Sequence, residues 1–199
     1  MGERRLFVAL VPDAALQDAV AAPVRAALAE RLDAPGDALK LVPAEKVHLT
    51  LLFLGAVAEE RVEPLAAALA AELDGARAPR LALGPAGAFP QRARERVLWI
   101  GLGEERAGEL ATLRARVVAA AARTGLGAAD PQPLAPHLTV ARVRARGRRP
   151  PRPPIPDAFW TLPFDGRWTP DAVHLVESTP GGGGRRAQYV SLARFPLVG

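Results

Sequence analysis

The chain has no cysteine. Disulfides, thiolate metal sites and cysteine nucleophiles are therefore excluded, and a cytoplasmic protein is the simplest expectation. No apolar run approaches the roughly 20 residues that would cross a bilayer. The first residues, Met1 to Leu10, pass from basic to apolar but meet Pro12 and Asp13 too soon for a signal-peptide core, so no membrane association is expected. Lysine is scarce as well, at Lys40 and Lys46 only, so nearly all of the positive charge is arginine. The net charge is +5 and the sequence pI about 10.8, which fits an anionic partner. Arginine pairs with phosphate through two parallel hydrogen bonds and stacks on bases, a bias toward nucleic acid. A GC-rich coding sequence would raise Arg, Ala, Gly and Pro together, so charge alone decides nothing. Neither kind of nucleotide-binding glycine loop is present: the run Gly181–Gly184 is not followed by Lys-Ser/Thr, and no helix opens after it.

What is present is enough apolar residue, 49% of 199, to build one domain or two small lobes sharing a core. Alternation predicts strands over Arg4–Val11, Lys46–Leu54, Arg80–Ala88, Arg96–Leu102, Pro136–Arg142, Trp160–Phe164, Ala172–Glu177 and Gln188–Phe195. Helical spacing predicts helices from Asp13 to about Leu32, split or kinked at Pro23, and over Glu59–Leu73 and Glu104–Thr124. Arg146–Pro156 reads as a Pro/Arg-rich loop. Frequent turn-linked strand pairs favour an α+β fold with antiparallel sheets over a doubly wound parallel one.

One internal repeat stands out. Residues 48–51 read His-Leu-Thr-Leu and residues 137–140 read His-Leu-Thr-Val, 89 positions apart (137 − 48), in a chain with three histidines. Alternate side chains of a strand share a face, so each tetrapeptide shows an imidazole beside a hydroxyl and anchors both from behind with apolar residues. Two similar halves, each giving one such strand to a shared cleft, would set two imidazoles on opposite sides of a phosphorus centre. One can remove a proton while the other delivers one, and the ordinary imidazole pKa of about 6.5 suits both tasks. The threonine hydroxyls can bond the non-bridging oxygens. This chemistry needs no metal, cofactor or covalent intermediate.

These residues resemble the 2H phosphoesterase superfamily, and within it the RNA 2',3'-cyclic phosphodiesterases also called 2'-5' RNA ligases. The resemblance covers nearly the whole chain. Its parts are Arg-Leu-Phe-Val-Ala-Leu at 5–10, His-Leu-Thr-Leu-Leu-Phe-Leu-Gly at 48–55, and Arg96-Val-Leu-Trp-Ile-Gly101. Pro136-His-Leu-Thr-Val-Ala-Arg142, Leu175-Val-Glu-Ser178, Tyr189 and Phe195-Pro-Leu197 complete it. It implies a bilobal α+β fold, two mainly antiparallel sheets facing a central cleft with helices outside, in a single domain over residues 1–199. It implies that His48 is the proton donor to the departing 3'-oxygen and His137 the proton acceptor from water, leaving a 2'-phosphate. Thr50, Thr139 and Arg142 would bind substrate, and the reverse reaction would join RNA ends through a 2'-5' linkage. Strict alternation puts Arg142 on the face opposite His137, so a bulge or strand end must turn it. The Pro/Arg-rich segment Arg146–Pro156 departs from the helical segment that many relatives carry there.

The expected partner is RNA with a 2',3'-cyclic phosphate end, or a small cyclic nucleotide, handled by a monomer. The rivals are a cyclic phosphodiesterase acting on a nucleotide or ADP-ribose derivative, and a non-catalytic RNA-binding module. His174 reads as a structural strand residue, with a zinc site of His48, His137 and His174 as its rival. The cluster Arg142, Arg144, Arg146, Arg148, Arg149 and Arg152 reads as a solvated basic loop, or as a phosphate-tracking edge. Tyr189 and Trp168 read as core aromatics able to stack a base.

Overall fold

The computed structural model describes residues 2–32, 39–126, 134–143, 154–179 and 188–199. Along the chain the elements are β1 (Glu3–Leu10), α1 (Ala14–Ala27), α2 (Ala29–Leu32), β2 (Leu39–Leu41), β3 (Leu49–Ala58), α3 (Val62–Leu73), β4 (Leu81–Phe89) and β5 (Val97–Glu104). They continue with α4 (Glu109–Arg123), β6 (His137–Val143), α5 (Asp157–Trp160), β7 (Arg167–Trp168), β8 (Ala172–Thr179) and β9 (Gln188–Pro196).

The strands form two sheets, a four-stranded one ordered β3-β1-β8-β9 and a five-stranded one ordered β2-β6-β5-β4-β7. Every strand pair within them is antiparallel, as the turn-linked pattern implies. The α+β expectation with two antiparallel sheets holds. Helices α3 and α4 pack on each other, α4 reaching β3 and α3 reaching β9, while α1 and α2 lie against β6 and β2 of the other sheet. Each sheet therefore carries its own pair of helices. One continuous apolar core joins the two, taking Leu6, Val8 and Leu10 from β1, Leu98 and Ile100 from β5, and Leu65, Leu69, Leu110 and Leu113 from the helices. A second, small cluster of Phe7, Ala9 and Val176, with Tyr189 against it, lies on the other face of the first sheet.

The local differences from expectation have physical causes. Asp13 caps α1, its carboxylate accepting from the Leu16 N–H at 2.8 Å. Pro23 sits inside that helix, and the break comes at Leu28 instead. The carbonyl that Pro23 leaves unbonded is that of Ala19, an exposed residue that water can reach. Strand β3 runs on past Gly55, which takes φ +73 where Leu54 is left out of the pairing with β1. Trp160–Phe164 is not a strand: Pro156 and Asp157 start the short helix α5, which buries Phe159, and irregular chain follows. Strands β2 and β7, of three and two residues, are too short to leave a periodic signal. Most of Arg146–Pro156, and all of Gly181–Gly184, lie outside the described residues.

Candidate active site

His48 stands immediately before β3 and His137 opens β6. The same device holds both rings. Nδ1 of His48 lies 2.7 Å from the carbonyl oxygen of Lys46, and Nδ1 of His137 lies 2.7 Å from that of Ala135. A carbonyl only accepts, so Nδ1 carries the hydrogen in each case and Nε2 is the nitrogen left to exchange protons. Each carbonyl belongs to the residue two before its histidine, so the repeat extends to the backbone that orients the ring.

The repeat extends further, to a β-bulge. Between β1 and β3 the pairing passes from Ala9↔Thr50 to Val8↔Leu52, leaving Leu51 out. Between β5 and β6 it passes from Trp99↔Thr139 to Leu98↔Ala141, leaving out Val140, the residue equivalent to Leu51. Two buried residues in succession result, Leu51-Leu52 and Val140-Ala141, and the next residue is turned to the opposite face. Arg142 thereby joins His137 and Thr139 on the cleft side, which strict alternation forbids. The two bulged carbonyls are satisfied separately: Val140 accepts from the Val42 N–H at 2.9 Å, and Leu51 from Nε of Arg114 in α4 at 3.1 Å.

The two motifs face each other. Strands β3 and β6 belong to different sheets yet have Cα atoms within 8 Å. Burial holds the His48 imidazole below its ordinary pKa against the opposing pull of the Lys46 carbonyl, and the charges of Arg142 and His137 press it lower. Burial likewise lowers His137, the Ala135 carbonyl opposing and the Arg142 charge adding to it. One guanidinium thus lies within electrostatic reach of both rings. Thr50 and Thr139 are partly exposed on the same faces as their histidines.

Each imidazole has its own aromatic surroundings. Phe7 lies 4.8 Å from the His48 ring and Tyr189 lies 5.5 Å from it, centroid to centroid. Phe89 lies 5.0 Å and Trp99 6.1 Å from His137. Tyr189 is thus a cleft residue, while Trp168 is buried in the core. Sequence reasoning missed Phe53. It occupies the place after the first bulge that Arg142 occupies after the second, is 41% exposed, and has the Arg5 guanidinium 4.9 Å over its ring. The signal was there, since both residues lie five places after their histidines. His174 is also more than a packing residue. It pairs with Ala9, as Thr50 does, and so shares the cleft face, with Nδ1 3.0 Å from Ser191 Oγ. Burial lowers its pKa, and Arg194 adds to the effect against Asp171. The three-histidine metal site does not form: among the described residues no group of three His, Asp or Glu is placed to hold an ion.

The profile of the 2'-5' RNA ligase superfamily matches residues 11–182. The chain belongs to that superfamily. Among curated members, an RNA 2',3'-cyclic phosphodiesterase of Archaeoglobus fulgidus is 35% identical over 143 residues, 71% of this chain and 74% of the relative. A protein of the same description from Geobacillus stearothermophilus is 34% identical over 175 residues, 82% of this chain but 51% of the relative, so the chain spans about half the length of that protein. Among solved structures, Escherichia coli LigT complexed with 3'-AMP superposes over 100% of both chains with a TM-score of 0.69 at 25% identity. In this member of the superfamily both His-x-Thr motifs are intact. No helix among its described residues is long and apolar enough to cross a membrane.

Proposed function

We propose that this protein hydrolyses RNA 2',3'-cyclic phosphate ends to 2'-phosphates by metal-independent acid–base catalysis, within one domain of two pseudo-symmetric lobes. The observation that carries the reading is the pair of imidazoles, each tied at Nδ1 to a carbonyl and both under the charge of Arg142. In the step, Nε2 of His137 takes a proton from water as its oxygen attacks phosphorus. The P–O3' bond opposite the attack breaks, and His48 gives its Nε2 proton to the departing 3'-oxygen. Thr50 and Thr139 bond the non-bridging oxygens, and Arg142 offsets the charge that grows on them. Phe53 offers an exposed ring on the His48 side for the base of the terminal nucleotide. With a 5'-hydroxyl in place of water, the same step in the same direction forms a 2'-5' linkage: P–O5' forms as P–O3' breaks. The curated relatives described as RNA 2',3'-cyclic phosphodiesterases support the choice of substrate.

The test offers the protein an oligonucleotide ending in a 2',3'-cyclic phosphate, with chelator present, and identifies the product isomer by phosphorus NMR. The expected product is the 2'-phosphate, at a rate that EDTA leaves unchanged. His48→Ala and His137→Ala should each lower kcat by about 10²- to 10⁴-fold. A 3'-phosphate product would mean that P–O2' breaks and would overturn the 3'-oxygen as leaving group, and activity lost in EDTA would overturn the metal-independent step.

A further inference from the structure

His174 is held differently from the other two histidines. Their Nδ1 atoms face carbonyl oxygens, which only accept, whereas Nδ1 of His174 lies 3.0 Å from the Ser191 hydroxyl oxygen. A hydroxyl gives or takes a hydrogen bond. When Ser191 donates to Nδ1, the neutral ring carries its hydrogen on Nε2 and donates from there. When Ser191 turns instead to the Ala193 carbonyl, 3.4 Å away, it accepts from Nδ1. His48 and His137 have no such choice, and their Nε2 atoms become donors only on protonation. Burial and the Arg194 charge favour the neutral form of His174, and that is the form Ser191 equips to donate. Among the described residues no partner bonds its Nε2.

The register sets this ring beside the reacting centre. Thr50 and His174 pair with Ala9 from opposite sides, and directly paired residues share a face. Two strand spacings put their Cα atoms about 10 Å apart. Ala9 offers only a methyl group between them, packed with Phe7 and Val176, so the two polar side chains flank a low apolar step. On the far side His174 is paired with Arg194. That guanidinium lies 2.7 Å from the Asp171 carboxylate, and both side chains are exposed, so water weakens the ion pair and leaves Arg194 able to turn to another anion. A hydrogen-bond donor, a hydroxyl that sets it and a cation thus stand one nucleotide's reach from the phosphate-binding threonine.

We propose that His174, Ser191 and Arg194 form a subsite for the phosphodiester on the 5' side of the terminal nucleotide. His174 donates from Nε2 to a non-bridging oxygen and Arg194 offsets the charge, while Thr50 holds the cyclic phosphate across the ribose. The inference rests on the phosphodiesterase reading above and deepens it: the protein selects a cyclic phosphate at the end of a chain over the same group on a free nucleoside.

The experiment compares kcat/KM of the full chain on three compounds. The first is adenosine 2',3'-cyclic phosphate. The second is that nucleotide extended at its 5'-oxygen through a phosphodiester to 2'-deoxyadenosine. The third is the same dinucleotide with a methylphosphonate link, which keeps the shape and removes the charge. The phosphodiester dinucleotide should exceed each of the others by about tenfold or more, the scale of charge-assisted hydrogen bonds. His174→Leu should cut its advantage over the methylphosphonate at least about fivefold, and His174→Leu with Arg194→Met should abolish it. Equal kcat/KM for the charged and uncharged dinucleotides in the unaltered protein overturns the subsite while hydrolysis stands, and this comparison decides even if the variants do not fold. A charge preference that survives in the folded double variant also overturns it. No hydrolysis of any of the three removes the phosphodiesterase reading and the subsite with it.

Discussion

At the scale of single residues, the protonation of two rings controls the account. The active form has His48 protonated and His137 neutral. Both imidazoles are held below their ordinary value by burial, and Arg142 presses on each. As pH falls, His137 gains a proton and the base is lost; as pH rises, His48 loses its proton and the acid is lost. Both limbs of the profile therefore lie on the acid side of about 6.5, and kcat/KM should be bell-shaped with its maximum there. Removing a positive neighbour makes protonation easier, so Arg142→Gln should move both limbs to higher pH as well as weaken substrate binding. Profiles of the two proteins that coincide would show that Arg142 does not face the imidazoles. The histidines and threonines were legible because a four-residue pattern recurs in a chain with three histidines. Phe53 was overlooked because a lone aromatic in an apolar strand looks the same whether it packs or projects, and only its place five after His48, matching that of Arg142 after His137, marks it.

At the scale of elements, the bulges decide what the strands present. Alternation locates β3 and β6 and assigns the faces of His48, Thr50, His137 and Thr139 correctly. It fails one residue later, where Leu51-Leu52 and Val140-Ala141 break the period. Two successive apolar residues inside an alternating strand were the visible trace of an inserted one, but they also read as ordinary burial on both faces. Supports for the bulges come from distant chain, as Arg114 shows by donating from α4 to the Leu51 carbonyl. Replacing it by Met keeps much of the aliphatic stem and removes the hydrogen bond. Arg114→Met should cost about 1–3 kcal/mol in denaturant unfolding, the range for losing a charged donor or stranding a buried acceptor. It should also lower activity on the cyclic phosphate by loosening the strand that carries His48 and Phe53. Unchanged stability and activity would mean that the bulge holds itself. Helices α1, α3 and α4 were legible from their apolar stripes, although the start of α4 falls at Glu109 and not at Glu104, whose carboxylate instead accepts from the Gly108 N–H at 3.3 Å.

At the scale of the whole molecule, the two sheets are tied by exchange of elements. Helix α1, from the first part of the chain, packs on β6, and β2 joins the same sheet. Helix α4, from the middle, reaches β3, and β8 and β9 from the end complete the first sheet. The core is continuous across both. With elements exchanged between the sheets and one core shared by both, calorimetric unfolding should show one transition whose calorimetric and van't Hoff enthalpies agree. Two separated transitions would mean independent lobes and a cleft free to change width. This exchange was beyond the sequence, because the pattern tells which face of a helix is buried but not which sheet receives it. The central claim is that both imidazoles grip a single phosphate. The most direct check follows the nitrogen-15 resonances of His48 and His137 through a pH titration, with and without one equivalent of a nucleoside 2'-phosphate. The account predicts that the bound anion raises both pKa values together, by about one pH unit or more. A ligand that moves one ring and leaves the other where it was would contradict it.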